Sequence, residues 1–163
     1  MTIRFYGPRS EYGFLSNFYP SKIQIDSMFA PTVEHYYQAM KTLVPEERNE
    51  ILTAQTPREA KNLGRKCLLR EDWDTVVGTP ALHDIFRDSL GIVVESTKDH
   101  LMYEALIAKF TQHPDLQAAL IQTGSVDLIE DAPRDFYWGA GHDDSGLNKL
   151  GRMLMLVRKA LPK

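Results

Sequence analysis

At 163 residues, 43% hydrophobic and 25% charged, the chain has the size and composition of one globular domain with an adequate core. A net charge of −3 gives it no global attraction for nucleic acid, and its longest apolar run, MLMLV at 153–157, is far too short to cross a bilayer. The single cysteine, Cys67, excludes an internal disulfide framework and any CxxC zinc site; with no long apolar stretch or cleavage pattern in MTIRFYGPRS, a cytoplasmic protein is expected.

TIRFY and KIQIDSMF alternate as strands do. The Gly-, Pro- and Ser-rich stretch GPRSEYGFLSNFYPS between them reads as a loop, unusually aromatic through Phe14, Phe18 and Tyr19. Thr32 can cap a helix that Pro45 interrupts or ends. Thr56, Pro57 and Glu59 make a capping box with proline at the first helical position, opening a helix toward Gly64. Residues 80–90 and 94–111 carry helical patterns, and Pro114 opens a further helix through Gln122. VDLIE at 126–130 reads as a short strand, and a last helix over 147–160 sets Leu150, Leu154 and Val157 at core spacing. Strands and helices do not alternate regularly. The expected class is therefore α+β, a helix-rich single domain over 1–163 with a small β-sheet, and not a Rossmann sheet.

Two stretches carry chemistry. Placed on a helix over 33–44, Glu34, Gln38 and Lys41 form a stripe at i, i+4 and i+7, apart from an apolar face of Val33, Tyr36, Met40, Leu43 and Val44, with His35 on the flank. From spacing alone such a stripe is more often a solvated face than a pocket wall, and Glu34 in the first turn suits the helix dipole. The second stretch, DFYWGAGHDDSGLNKLGRMLM at 135–155, has Trp138 before Gly139, Gly141, Gly146 and Gly151. Glycines let backbone amides approach a ligand, the run leads into a helix N-terminus that favours anions, Lys149 and Arg152 can add charge for a phosphate, and Trp138 offers a face for a base. An ordinary flexible loop fits that composition as well.

Read together, FYGPRSEYGFLSNFYPS, APTVEHYYQAMK, the A-K-N-L-G-R of 60–65, ALIAKFTQHPDLQAALIQTG and LIEDAPRDFYWGAGHDDSGLNKLGRMLMLVR resemble, in order and through almost the whole chain, the NADAR (YbiA-like) family. The resemblance implies a helix-rich α+β fold and N-glycosidase chemistry, the cleavage of a bond between a ribose anomeric carbon and a nitrogen. Family members are associated with removing ADP-ribose from guanine bases of nucleic acid or with removing phosphoribosylamino-pyrimidine intermediates of riboflavin synthesis. The stretch TVVGTPALHDIFRDSLGIVVESTKDHLM is longer than in the shorter riboflavin-linked members, which tilts the expected substrate toward ADP-ribosylated guanine. Under the resemblance the Glu34, Gln38 and Lys41 stripe lines a pocket.

Cleaving an N-glycoside requires stabilising the leaving nitrogen and offsetting positive charge at the anomeric carbon, work that paired acids perform in many glycosidases. Glu34 and Asp135 are the candidate carboxylates: one activates water or stabilises an oxocarbenium-like centre, and the other assists the base or orients the ribose. Lys41, which ends the EHYYQA-x-K string, opens a second route. A neutral Lys41 amine can form a Schiff base with the opened sugar while Glu34 shuttles protons, whereas a salt bridge of Lys41 to Glu34 or to a substrate phosphate is its structural alternative. The resemblance further implies substrate contacts at Ser16, Asn17, Phe18, Tyr37, Gln38, Gly64, Arg65, Trp138, Gly139, Asn148 and Gly151. Arg65 is the better phosphate contact than Lys66.

No cofactor is expected, and no metal, since His142, Asp143, Asp144, Glu34 and His35 lack a recognised ligand spacing. His83, His100 and His113 carry no signal, and Cys67 reads as a small buried residue. The expected partner is a nucleotide-type substrate or ADP-ribosylated nucleic acid, with no membrane involved. A non-catalytic module that holds ADP-ribose or a related nucleotide is the competing reading; it would bind without releasing base.

Overall fold

Thr2–Phe5 forms strand β1, which pairs in parallel with the last strand, β6, at Asp127–Glu130, so that Phe5 lies opposite Glu130. The computed structural model describes residues 1–162 and all their side chains save those of Pro80, Leu82, His83 and Ile92; the reading of His83 lies outside what is described. Ile23–Ile25 (β2) and Met28–Ala30 (β3) form an antiparallel hairpin with Ile25 opposite Met28. KIQIDSMF, expected as one strand, thus folds back on itself. Asp26 adopts a φ of 52°, a left-handed conformation that its short polar side chain tolerates, and the alternation simply continues across the turn.

Helices α1 (Val33–Ala39), α2 (Pro45–Leu52) and α3 (Pro57–Gly64) pack on one another. Thr32 Oγ1 accepts the His35 amide at 3.2 Å, as a cap should. The helix expected to run to 44 stops at Ala39, and Pro45 opens α2 instead of closing α1: a proline lacks the N–H that a first-turn residue does not need. Lys41 therefore sits on the turn beyond α1. At α3 the Glu59 amide donates to Thr56 Oγ1 at 3.1 Å, while the Glu59 carboxylate reaches the Gln55 amide at 2.7 Å, one residue earlier than the usual box.

The helix expected over 80–90 is shorter. Helix α4 (Pro80–Ile85) gives way to a hairpin of β4 (Arg87–Asp88) and β5 (Gly91–Ile92), where Gly91 takes a φ of 120° that only glycine adopts readily. Helices α5 (Thr97–Gln112), α6 (Pro114–Gln122) and α7 (Lys149–Ala160) complete the chain. Helix α5 packs between α1 and α7, burying Met102, Leu106 and Phe110 against Phe5, Tyr36, Leu150 and Leu154 in one core. Each fully buried side chain of this kind stabilises the fold by roughly 1.5–3 kcal/mol. The fold is α+β and helix-rich, with the strands among the described residues in three two-stranded ladders instead of one small sheet. Among the described residues no helix is long and apolar enough to cross a membrane.

Candidate active site

A cavity of about 220 Å³ opens where α1, α3, α5 and the end of β6 meet. Helix α1 contributes Glu34, Tyr37 and Gln38, one turn apart on a single face, and Lys41 continues that face beyond the helix end. The aromatic loop adds Ser16, Asn17 and Phe18, and the loop after β6 adds Asp135 and Trp138. Three further wall residues went unread in the sequence: Lys61 of α3, Met102 of α5 and Glu130 of β6. A larger groove of about 540 Å³ elsewhere is walled by Pro20, Ser21, Lys22, Phe29, Ala30, Pro31 and Leu52, with Lys22 its one charged group. The reactive groups converge in the smaller cavity.

There three carboxyls face two lysines. Glu34 is 5% exposed and accepts a 2.8 Å hydrogen bond from Gln38 Nε2. Burial raises its pKa, opposed by the Gln38 bond and the charges of Lys61 and Lys41, and assisted by Asp135. Burial also lowers the pKa of Lys41, whose Nζ lies 5.7 Å from the centroid of the Tyr37 ring; Glu34 opposes that shift, and Lys61 and Arg65 reinforce it. Among the described residues no carboxylate lies within ion-pair distance of Lys41, so a salt bridge to Glu34 is not formed. Glu130 is reachable from the cavity, yet its walls desolvate the carboxyl and, with repulsion from Asp135 and Glu34, push its pKa up to about 8. Lys61 stands 5.8 Å from the centroid of the Phe18 ring, at the range of a cation–π contact. Among the described residues no three His, Cys, Asp or Glu side chains converge as a metal site.

The walls are held from behind. Asp135 Oδ1 accepts the amides of Tyr137 and Trp138 at 3.0 and 2.7 Å, folding DFYW into a turn that leaves Oδ2 for the cavity. Trp138 packs edge-on against Tyr37 with ring centroids 5.5 Å apart. Asp99, fully buried on α5, accepts Tyr137 Oη at 2.6 Å and Lys149 Nζ at 2.7 Å, joining this loop to α5 and α7. Lys109, also fully buried on α5, donates to the Ser16 carbonyl at 3.0 Å, and burial lowers its pKa to about 7. His35 is a packing residue: Nδ1 lies 2.9 Å from Thr32 Oγ1 and Nε2 3.1 Å from the Ala54 carbonyl.

Five of the expected contact residues stand outside the cavity wall: Gly64, Arg65, Gly139, Asn148 and Gly151. Arg65 is exposed at the end of α3 and acts on the cavity through its charge near Lys41. Asn148, at a φ of 48°, accepts the Glu130 amide and donates to the Leu128 carbonyl, both at 2.9 Å, locking β6 to the start of α7. Gly139 and Gly151 lie where a Cβ would come within 2.9 Å of the Asp135 carbonyl and 2.1 Å of the Leu128 carbonyl, so both are close-packing glycines. The α7 N-terminus is no anion site. The amides of Asn148, Lys149 and Leu150 donate to the carbonyls of Gly139, Tyr137 and Trp138, Lys149 pairs with Asp99, and Arg152 pairs with Asp88 through both its Nε and Nη2.

Gly64 supports the site from outside. A Cβ there would lie 2.1 Å from Gln38 Oε1 and 2.9 Å from Gln38 Cβ, forcing the amide away from Glu34. Gly64→Ala should lower stability by about 1–3 kcal/mol through overpacking, and kcat by about tenfold as the bond from Gln38 to Glu34 breaks. Denaturant unfolding alongside steady-state kinetics checks both; wild-type values in both would show that Gln38 does not hold Glu34.

The NADAR domain model matches residues 4–162. The chain belongs to the NADAR family. It is 39% identical over 166 residues to N-glycosidase Npun_R5314 of Nostoc punctiforme, covering 99% of this chain and 93% of that one. It is 37% identical over 161 residues to N-glycosidase YbiA of Escherichia coli, covering 98% and 88%. It is also 36% identical to the chloroplastic riboflavin biosynthesis protein PYRR of Zea mays, covering 98% of this NADAR chain but only 25% of the maize protein. Its fold superposes on the NMR structure of E. coli YbiA with a TM-score of 0.78 at 35% identity, over 98% of this chain and 83% of that one.

Proposed function

We propose that this NADAR chain is an N-glycosidase that hydrolyses the bond between C1 of a phosphorylated ribose and a nitrogen of a base, acting as a single domain. The observation that carries the reading is the pairing of a buried Glu34 with a half-buried Lys41 that has no carboxylate partner among the described residues. Burial favours the neutral form of each, and a neutral amine beside a protonated carboxyl is what a Schiff-base route needs. Glu34 gives its proton to the ring oxygen as the C1–O bond opens, leaving C1 doubly bonded to the base nitrogen. Lys41 adds to C1 and returns a proton to Glu34. The base departs with the C1–N electron pair, and water releases the sugar from Lys41. Asp135, with one oxygen anchored by backbone amides, orients the ribose hydroxyls, and Trp138 and Phe18 take the base.

ADP-ribose on guanine is the substrate this reading favours. Arg65 places charge outside the cavity next to Lys41 and Lys61, which suits a diphosphate better than a single phosphate. The longer segment, 75–102, brings one residue to the cavity wall, Met102, whose apolar side chain does not distinguish a diphosphate from a single phosphate. A second reading, the phosphoribosylamino-pyrimidine intermediates of riboflavin synthesis, is favoured by the names of the maize relative and of the Vibrio vulnificus riboflavin biosynthesis protein, 34% identical over 161 residues.

Base release by mass spectrometry tests both, with an ADP-ribosylated guanosine oligonucleotide and a phosphoribosylamino-pyrimidine offered separately. Release from one substrate, lowered about 10²- to 10⁴-fold in Glu34→Gln, is the expected outcome and selects the branch. Tight binding of both with release of neither would make the cavity a non-catalytic nucleotide cradle.

A further inference from the structure

Three carboxyls line the cavity, and only two have work in the scheme above. Glu34 is engaged by Gln38, and Asp135 is anchored by two backbone amides. Glu130 differs: among the described residues its carboxyl makes no hydrogen bond or ion pair, although its backbone is fixed on both sides. Its amide donates to Asn148 Oδ1, and its carbonyl accepts the Ala140 amide, both at 2.9 Å. Asn148 holds a left-handed conformation in making that contact, and Gly139 is kept small beside it, since a Cβ there would lie 3.1 Å from the Glu130 carbonyl oxygen. A carboxyl held in place at this expense and left unpaired in an enclosed space has no structural purpose that an apolar residue would not serve better.

We propose that Glu130 is a third catalytic carboxyl, the acid that protonates the departing base nitrogen. The inference rests on the glycosidase reading and deepens it. As the C1–N bond breaks, its electron pair stays on the base nitrogen, which takes the Glu130 proton, while C1 remains held by Lys41 as an iminium. The Glu130 carboxylate then removes a proton from the water that adds to C1 and is an acid again for the next turnover. The charged groups facing it are Glu34 from α1, Lys61 from α3 and Asp135 from the following loop. Desolvation by the cavity walls, helped by repulsion from Asp135 and Glu34 and opposed by Lys61, favours its protonated form near neutrality, and Glu34 and Glu130 divide the proton work between the sugar and the base.

The test measures kcat and KM across the pH range around neutrality for wild type and Glu130→Gln. It uses two ribosyl substrates that differ only in the basicity of the leaving amine. Glu130→Gln should lower kcat about 10²-fold with KM within about threefold, move the alkaline fall in kcat to the one set by Glu34 alone, and lose less rate with the less basic amine. A wild-type rate in Glu130→Gln, or an equal loss for both amines, overturns the proposal and leaves the glycosidase reading standing. Wild type that releases base from neither substrate overturns both. The carbon-13 resonance of the Glu130 carboxyl in the folded wild-type protein gives a second check that needs no variant. A protonated carboxyl at neutral pH is expected, and an ionised one overturns the proposal.

Discussion

Lys41→Met should lower base release by at least about 10⁴-fold and leave the fold intact, the largest catalytic effect expected of any single substitution here. The methionine keeps the length and apolar stem of the side chain and removes only the amine. The Lys41 carbonyl, which accepts the Arg70 amide at 2.8 Å, is untouched, and the Lys41 side chain makes no ion pair among the described residues, so little stability depends on it. Lys41→Arg should be as inactive, because a guanidinium stays protonated and cannot attack C1. In wild type, cyanoborohydride added during turnover should reduce the iminium and leave the sugar on Lys41 as a stable secondary amine, read by peptide mass; neither variant should trap. The pH dependence follows from the directions of the shifts. Lys41 must lose a proton to act, so kcat climbs as pH rises toward its lowered pKa, and the loss of the carboxyl protons brings it down on the alkaline side. The resulting bell reports the coupled set, not single groups. Turnover by Lys41→Met within tenfold of wild type would remove the covalent route and leave water attack assisted by Glu34.

The parts of the fold that local chemistry dictates were legible in the chain. Pro114 and Gln122 bound α6 as read, Thr56 and Glu59 cap α3, and VDLIE pairs as a strand. What the sequence hid was produced by non-local contacts or by single backbone conformations. The period of KIQIDSMF does not reveal that Asp26 turns left-handed. The polar stripe of α1 looks like a solvated face until the loop of 14–18 and the end of β6 are laid over it, and contacts distant in sequence do that: β1 pairs with β6, Lys109 holds the Ser16 carbonyl, and the Glu34 amide donates to the Asn17 carbonyl. Glu130 escaped notice for the same reason. As the last residue of a four-residue strand it has no motif of its own, and its significance comes from an enclosure assembled by α1 and α3. Lys61 stood inside A-K-N-L-G-R, where Gly64 and Arg65 drew the reading. Lys149 and Arg152, read as phosphate ligands, serve as buried ion-pair partners because α7 packs its first turn inward.

Asp99→Asn should cost about 3–5 kcal/mol of folding stability, the largest loss expected from a near-isosteric change. The Asp99 carboxylate is fully buried and accepts Tyr137 Oη, Lys149 Nζ and the amides of Glu95 and Ser96 at 2.6, 2.7, 3.2 and 3.3 Å. Asparagine occupies the same volume but brings no charge, and it sets an amide N–H₂ among donors. The Lys149 ammonium, its side chain 6% exposed, then keeps only the more exposed Glu95 carboxylate at 3.6 Å. For a chain of this length the loss corresponds to a fall in Tm of roughly 6–20 °C. Replacing both partners separates stability from function. Asp99→Leu with Lys149→Met removes the stranded charge along with its partner, so most of the stability should return. Activity should not return with it, because Tyr137 loses its acceptor and the turn that presents Asp135 and Trp138 to the cavity is freed from α5. Thermal melts and base release of the single and double variants form the comparison. A double variant as active as wild type would show that Asp99 serves folding alone, and a single variant as stable as wild type would show that Lys149 does not depend on it.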